Sequence, residues 1–210
     1  MCLNSFMTPT PHDVLDRYLD VYGVDSLFPV ARTPIGVLGC VASDEILFPE
    51  VARMLAMRGA EVLCHSTSEV ASPGATIKDV AKRARAFENM AYVVSANTGG
   101  IDGSPIPGES TDGKSQIVDY EGRVLVEAGG GESMAAYATI ELASLRRARR
   151  RPGMGNMPAR SRFDLYADSY AHAKHFGPNG LGDGRAPERG WFADAQRAVI
   201  ERLAAEGLIE

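Results

Sequence analysis

Between residues 34 and 97 the chain alternates two hydrophobic patterns, and this alternation restricts the folds open to it more than any other feature. "PIGVLGCVAS" (34–43) is a short, almost continuous apolar run, rich in small and β-branched residues and bounded by glycine, which marks a buried strand. "EILFPEVARMLAMRGA" (45–60) carries Ile46, Val51, Leu55 and Ala56 at helical spacing, with Pro49 suited to the first turn. "EVLCHST" (61–67) reads as strand again. "ATIKDVAKRARAFENMA" (75–91) places Ile77, Val80, Ala81, Ala84 and Phe87 on one helical face, the face expected to meet a core. "YVVSAN" (92–97) is a third strand. Strand, helix, strand, helix, strand implies an α/β sheet with crossover helices.

The flanks are less regular. "DVLDRYLDVYG" (13–23) predicts a short helix closed by Gly23. After a Gly/Pro/Ser loop at 99–113, "KSQIVDYEGRVLVEAG" alternates as two strands turning at Glu121-Gly122, a hairpin. "MAAYATIEL" (134–142) is expected to add a strand, and "ASLRRARRR" (143–151) a basic helix or extension. Beyond Pro152 the chain is punctuated by Gly and Pro until an amphipathic helix, "ADAQRAVIERLAAEG" (193–207). The expected organisation is one domain over 1–151 and a C-terminal extension over 152–210 that packs on the domain or on a dimer partner.

Composition narrows the function classes. The chain has 210 residues, is 45% hydrophobic and carries a formal charge of −5, enough apolar material for one sizeable core. The negative balance disfavours nucleic acid and anionic membranes as partners. Cys2, Cys40 and Cys64 form neither a metal spacing nor an even disulfide set, which suits a reducing cytoplasm. "MCLNSFMTPTPHD" lacks the pattern of a signal peptide, and no apolar run nears the roughly 20 residues of a membrane span.

Several motifs invite chemistry. "GESTDGKS" (108–115) fits the phosphate-loop pattern, but that mechanism needs a following helix, and "SQIVDY" reads as strand, so the match is taken as accidental. "RRARRR" (146–151) has no interleaved aromatics and is read as a solvated helix end or subunit contact. His172 and His175 sit one helical turn apart without a third ligand, and are read as surface histidines. Asp13, Asp16 and Asp20 are read as a solvated helix face. No cofactor and no metal are expected.

Taken together, "TPIGVLG", "FPEVARMLAMRGAEVL", "RARAFENMAYVVSAN" and "GKSQIVDYEGRVLVEAG", closed by "EL...LRRARR", resemble the carbon–nitrogen hydrolase family, the nitrilase and aliphatic-amidase superfamily. They keep that family's order and spacing from about Thr33 to Arg151. The resemblance implies a four-layer α-β-β-α sandwich, here partial because the first strands and helix are missing, with the C-terminal extension added. It also implies hydrolysis of a non-peptide amide or nitrile by a cysteine nucleophile, a glutamate base and an oxyanion-stabilising lysine.

The family's cysteine lies five residues before the phenylalanine of F-P-E, and counting back from Phe48 gives Ser43. Cys40 is three residues too early and on a strand points to the other side, so it is read with Cys64 as a small buried hydrophobe. Glu45 matches the acidic residue two places after the family's cysteine, a corner anchor more than a base. Glu50, Arg53, Arg85, Glu88 and Asn89 match scaffold motifs and are expected to pair with one another. Residues 1–42 contain no lysine and no glutamate, so neither the family's base nor its lysine has a counterpart upstream of Ser43. The sequence thus points to a carbon–nitrogen hydrolase family protein with Ser43 at the nucleophile position and a small amide or nitrile as substrate. The alternative is a catalytically inactive member, a binding or scaffold protein or a shortened relic. A homo-oligomer is expected in either case, because a sheet lacking its early strands leaves apolar surface uncovered.

Overall fold

The computed structural model describes residues 3–5, 7–131, 133–182 and 187–210, so Cys2 lies outside the described residues. The chain divides into two compact units, Phe28–Ser161 and the pair of end segments Met1–Leu27 and Arg162–Glu210.

The smaller unit contains helix α1 (Leu15–Tyr22), which ends at Gly23 with φ 71°, a conformation glycine adopts without a Cβ penalty. A one-turn 3-10 helix precedes it, and Asp13 accepts the Thr10 N–H at 2.7 Å, so Asp13 caps a turn and does not merely face solvent. The two ends of the chain meet through backbone bonds from Asn179 N to His12 O and from Leu181 N to Asp13 O, both 2.9 Å.

The larger unit holds a six-stranded sheet in chain order: β1 (Val30–Thr33), β2 (Gly36–Ala42), β3 (Val62–Thr67), β4 (Tyr92–Asn97), β5 (Gln116–Val118) and β6 (Val124–Glu127). The central β2, β3 and β4 run parallel, joined by α2 (Pro49–Met57) and α3 (Ile77–Asn89); the outer pairs are antiparallel. Pro49 opens α2 as expected, and the β5–β6 hairpin turns at Gly122 with φ 80°. Strand β1 was not anticipated from the sequence; it is a four-residue edge strand. Of residues 134–142, expected as a strand, 134–141 have no regular secondary structure and join no ladder, and Leu142 already belongs to a helix. The chain continues with α4 (Leu142–Arg150) and α5 (Met157–Arg160), then, in the smaller unit, α6 (Asp164–His172) and α7 (Arg189–Ala205).

The main core lies between the sheet and helices α2 and α3, built from Val41, Ile46, Val51, Leu55, Leu63, Ala86, Val93 and Val118. A Cβ on Gly39 would meet Leu55 Cβ at 3.2 Å and Ala60 Cβ at 3.3 Å, so a glycine there lets α2 lie close on β2. The buried face of α3 differs from the expected one. Ile77, Val80 and Phe87 are exposed, while Ala81, Lys82, Ala86 and Asn89 are buried. Small alanines bring α3 close to the sheet; buried Lys82 is paired with carboxylates, and Asn89 donates from Nδ2 to Arg85 O while its buried Oδ1 has no partner among the described residues.

On the opposite face, α4 lays Leu142, Leu145 and Ala148 against Val62, Tyr92 and Leu38. Two of its arginines have structural partners, although Arg146 stays exposed and Arg149 is half-buried. Arg146 forks onto Glu61 at 2.6 and 2.9 Å, and Arg149 donates to the carbonyls of Met90 and Ala60. The "GESTDGKS" loop leads into β5, not into a helix, so it lacks the geometry of a phosphate loop. His172 and His175 are exposed, and among the described residues no cluster of three or more metal-ligating side chains exists. No helix among them is long and apolar enough to cross a membrane.

Candidate active site at the β2 corner

Strand β2 ends at Ala42, and a 3-10 turn over Ser43–Leu47 carries the chain to α2. The turn forces Ser43 to φ 47°, the left-handed region, which costs a residue with a Cβ about 1–2 kcal/mol. Ser43 is partly exposed. Three sets of interactions hold the corner. Glu45, 2% exposed, accepts the Ala42 N–H at 3.1 Å. Arg85 donates from Nε to Ile46 O at 3.0 Å and from Nη2 to Leu47 O at 3.1 Å, while also pairing with Glu88 at 2.8 Å.

The third comes from His65 on β3, also 2% exposed. Its Nε2 lies 2.9 Å from Ser43 O and its Nδ1 2.9 Å from Ser95 Oγ on β4. A carbonyl only accepts, so Nε2 carries the hydrogen and Nδ1 accepts from the Ser95 hydroxyl. Burial pushes the imidazole below its ordinary pKa and keeps it neutral, consistent with that tautomer. His65 thus bolts Ser43 to the sheet through the main chain. None of the hydrogen bonds formed by the described residues reaches the Ser43 hydroxyl itself.

Around the corner lies a charged shell. Asp44 pairs with Lys78 Nζ at 2.7 Å, and Lys78 donates to Thr67 Oγ1 at 3.0 Å. Lys82, 1% exposed, meets Glu69 at 2.7 Å and Asp79 at 3.2 Å. Asp79 also accepts from Gln116 Nε2 at 2.8 Å. Burial alone would raise the Asp79 pKa, but the Thr76 N–H and Lys82 bring it down, so it is ionised beside the lysine. Of these groups, Glu69, Asp79 and Lys82 line a cleft together with Asn97, Asp112 and Lys114.

Sequence reasoning missed His65, because one histidine in an apolar strand carries no spacing signal. It missed the Lys78–Asp44 and Lys82–Glu69 pairs because their members are far apart in sequence. Cys40 is exposed and Cys64 half-buried, so the two are not the buried hydrophobes expected from the sequence. Both lie on the sheet face opposite α2 and α3, which α4 covers only in part, and Cys64 packs against the cluster that includes Leu145 of α4.

The carbon-nitrogen hydrolase family model matches residues 5–150. The chain belongs to the carbon–nitrogen hydrolase family. It is 33% identical over 125 residues to deaminated glutathione amidase of Homo sapiens, covering 60% of this chain and 37% of that protein. It is 37% identical over 98 residues to a probable nitrilase of Schizosaccharomyces pombe, covering 47% of this chain and 34% of that one. Among solved structures it resembles a carbon-nitrogen hydrolase from Helicobacter pylori, with a TM-score of 0.57 and 25% identity over 67% of this chain and 51% of that one. It also resembles the Caenorhabditis elegans NitFhit protein, with a TM-score of 0.57 and 30% identity over 66% of this chain and 32% of that one. The mixed sheet with its crossover helices is the nitrilase fold, in part: the chain spans about a third of the length of the first two relatives.

Proposed function

We propose that this carbon–nitrogen hydrolase family protein cleaves a non-peptide amide or nitrile C–N bond, with Ser43 in the place of the usual cysteine nucleophile. The observation that carries the reading is the strained Ser43 itself. A left-handed serine at a strand-to-helix corner, clamped by a buried histidine and a buried glutamate, is a conformation held at a cost in stability, and such strain clusters where side chains act. In this reaction the Ser43 hydroxyl gives its proton to a base and attacks the substrate carbon; an amide then expels ammonia or an amine, a nitrile takes up one water before ammonia leaves, and a further water releases the acyl group from the serine. A hydroxyl needs an adjacent base, which the substrate complex or residues beyond those described must supply. Glu45 is an anchor of the corner in this scheme and not that base.

The test is hydrolysis of a panel of simple amides and nitriles by the wild-type chain and Ser43→Ala. Loss of turnover in the variant supports the reading; equal rates in both reject it.

One observation favours a second reading, a non-catalytic member that binds a ligand or partner: the Ser43 hydroxyl has no hydrogen-bonded base among the described residues. Ser43→Cys separates the two. Turnover gained by that single change rejects the non-catalytic reading, because the rest of the site is then competent.

A further inference from the structure

Two thiols face each other in the sheet. Cys40 on β2 and Cys64 on β3 are direct partners in the parallel register. Paired residues of neighbouring strands project from the same face and sit about 4.8 Å apart, inside the roughly 4.4–6.8 Å between Cα atoms that a disulfide spans. Cys40 is exposed and Cys64 is half-buried. Burial raises the Cys64 thiol pKa, and the neighbouring Cys40 raises it further, which reflects how close the two groups are.

We propose that Cys40 and Cys64 form a dithiol–disulfide couple that exchanges with small-molecule disulfides. The exposed Cys40 thiolate attacks one sulfur of the small disulfide and releases the first small thiolate, leaving a mixed disulfide on Cys40. Cys64 then gives its proton to solvent, attacks the Cys40 sulfur and expels the second small thiolate. The protein loses two electrons and two protons, and the small disulfide is reduced to two thiols. The bond so formed is open to solvent at Cys40, and exposed disulfides are the readily reduced ones. Reversible exchange, not permanent cross-linking, is the expected behaviour. The staple bears on the corner, since Cys64 adjoins His65 and Cys40 lies three residues before Ser43.

The test treats the reduced, folded full chain, diluted well below the micromolar range so that association does not cover Cys40, with excess glutathione disulfide, quenches with acid, and maps peptides by mass spectrometry. The expected product is a peptide pair linked Cys40–Cys64, two hydrogens lighter than the reduced pair and restored by dithiothreitol. Cys64→Ser is expected to stop at one glutathione on Cys40. Wild-type protein that carries only glutathione adducts, links only through Cys2, or stays fully reduced overturns the proposal. The wild-type map decides the matter even if the variant fails to fold.

Discussion

Ser43 and His65 make opposite contributions to stability, and both are measurable. Glycine adopts φ 47° freely, so Ser43→Gly is expected to leave the protein as stable as wild type or up to about 1 kcal/mol more stable. Ser43→Val, β-branched in the same conformation, is expected to cost more than about 1 kcal/mol. Denaturant midpoints check both. His65 carries a pH dependence of known sign. Its folded pKa lies below the ordinary imidazole value, so the unfolded chain binds the proton more readily, and stability falls as pH drops through about 6.5. The groups facing the ring are Lys82, Lys78 and Glu69, two cations against one anion. Glu61, held below the usual carboxylate range by its bond to Arg146, and Asp79 add their own losses only below about pH 4.5. Melting temperatures from pH 8 to 5 are therefore expected to decline in wild type and to flatten in His65→Gln.

At the scale of elements, α3 owes its place to a buried cation. Replacing Lys82 by Met leaves Glu69 and Asp79 without their counter-charge, and breaking such a pair costs about 3–5 kcal/mol. Lys82→Met combined with Glu69→Gln is expected to cost less than the sum of the single changes, since the two side chains touch. Urea titrations of the four proteins test this. The same helix shows where the sequence was legible and where it was not. Its existence, and the strands either side, follow from hydrophobic period alone. Its buried face does not, because period counts Ile77 and Val80 as core candidates and cannot know that acidic side chains wait to receive Lys82. Residues 134–141 read as strand since alternation reports an extended backbone, but pairing depends on a neighbour that a local pattern does not contain. The corner was legible in part: counting from Phe48 locates Ser43, while its support comes from His65 and Arg85, distant in sequence and joined to it only by folding.

For the whole molecule, the sheet has two unequal faces. One is sealed by α2 and α3; on the other, Cys40, Ser66 and Ala96 remain exposed beyond the reach of α4, with Leu38, Cys64 and Val94 only partly covered. Apolar sheet left open to water favours association. We expect this chain to self-associate at micromolar concentration, and sedimentation velocity tests it. A monomer that melts sharply would contradict the expectation. The strand order β1 to β6 has a different consequence, one in time. From β2 onward each strand pairs with the one synthesised just before it, so the sheet can grow at the ribosome by accretion, without holding an unpaired strand in wait for a late partner. The smaller unit has the reverse schedule. It joins Met1–Leu27 to Arg162–Glu210, so its first segment must wait until the whole sheet has been translated before its other half exists.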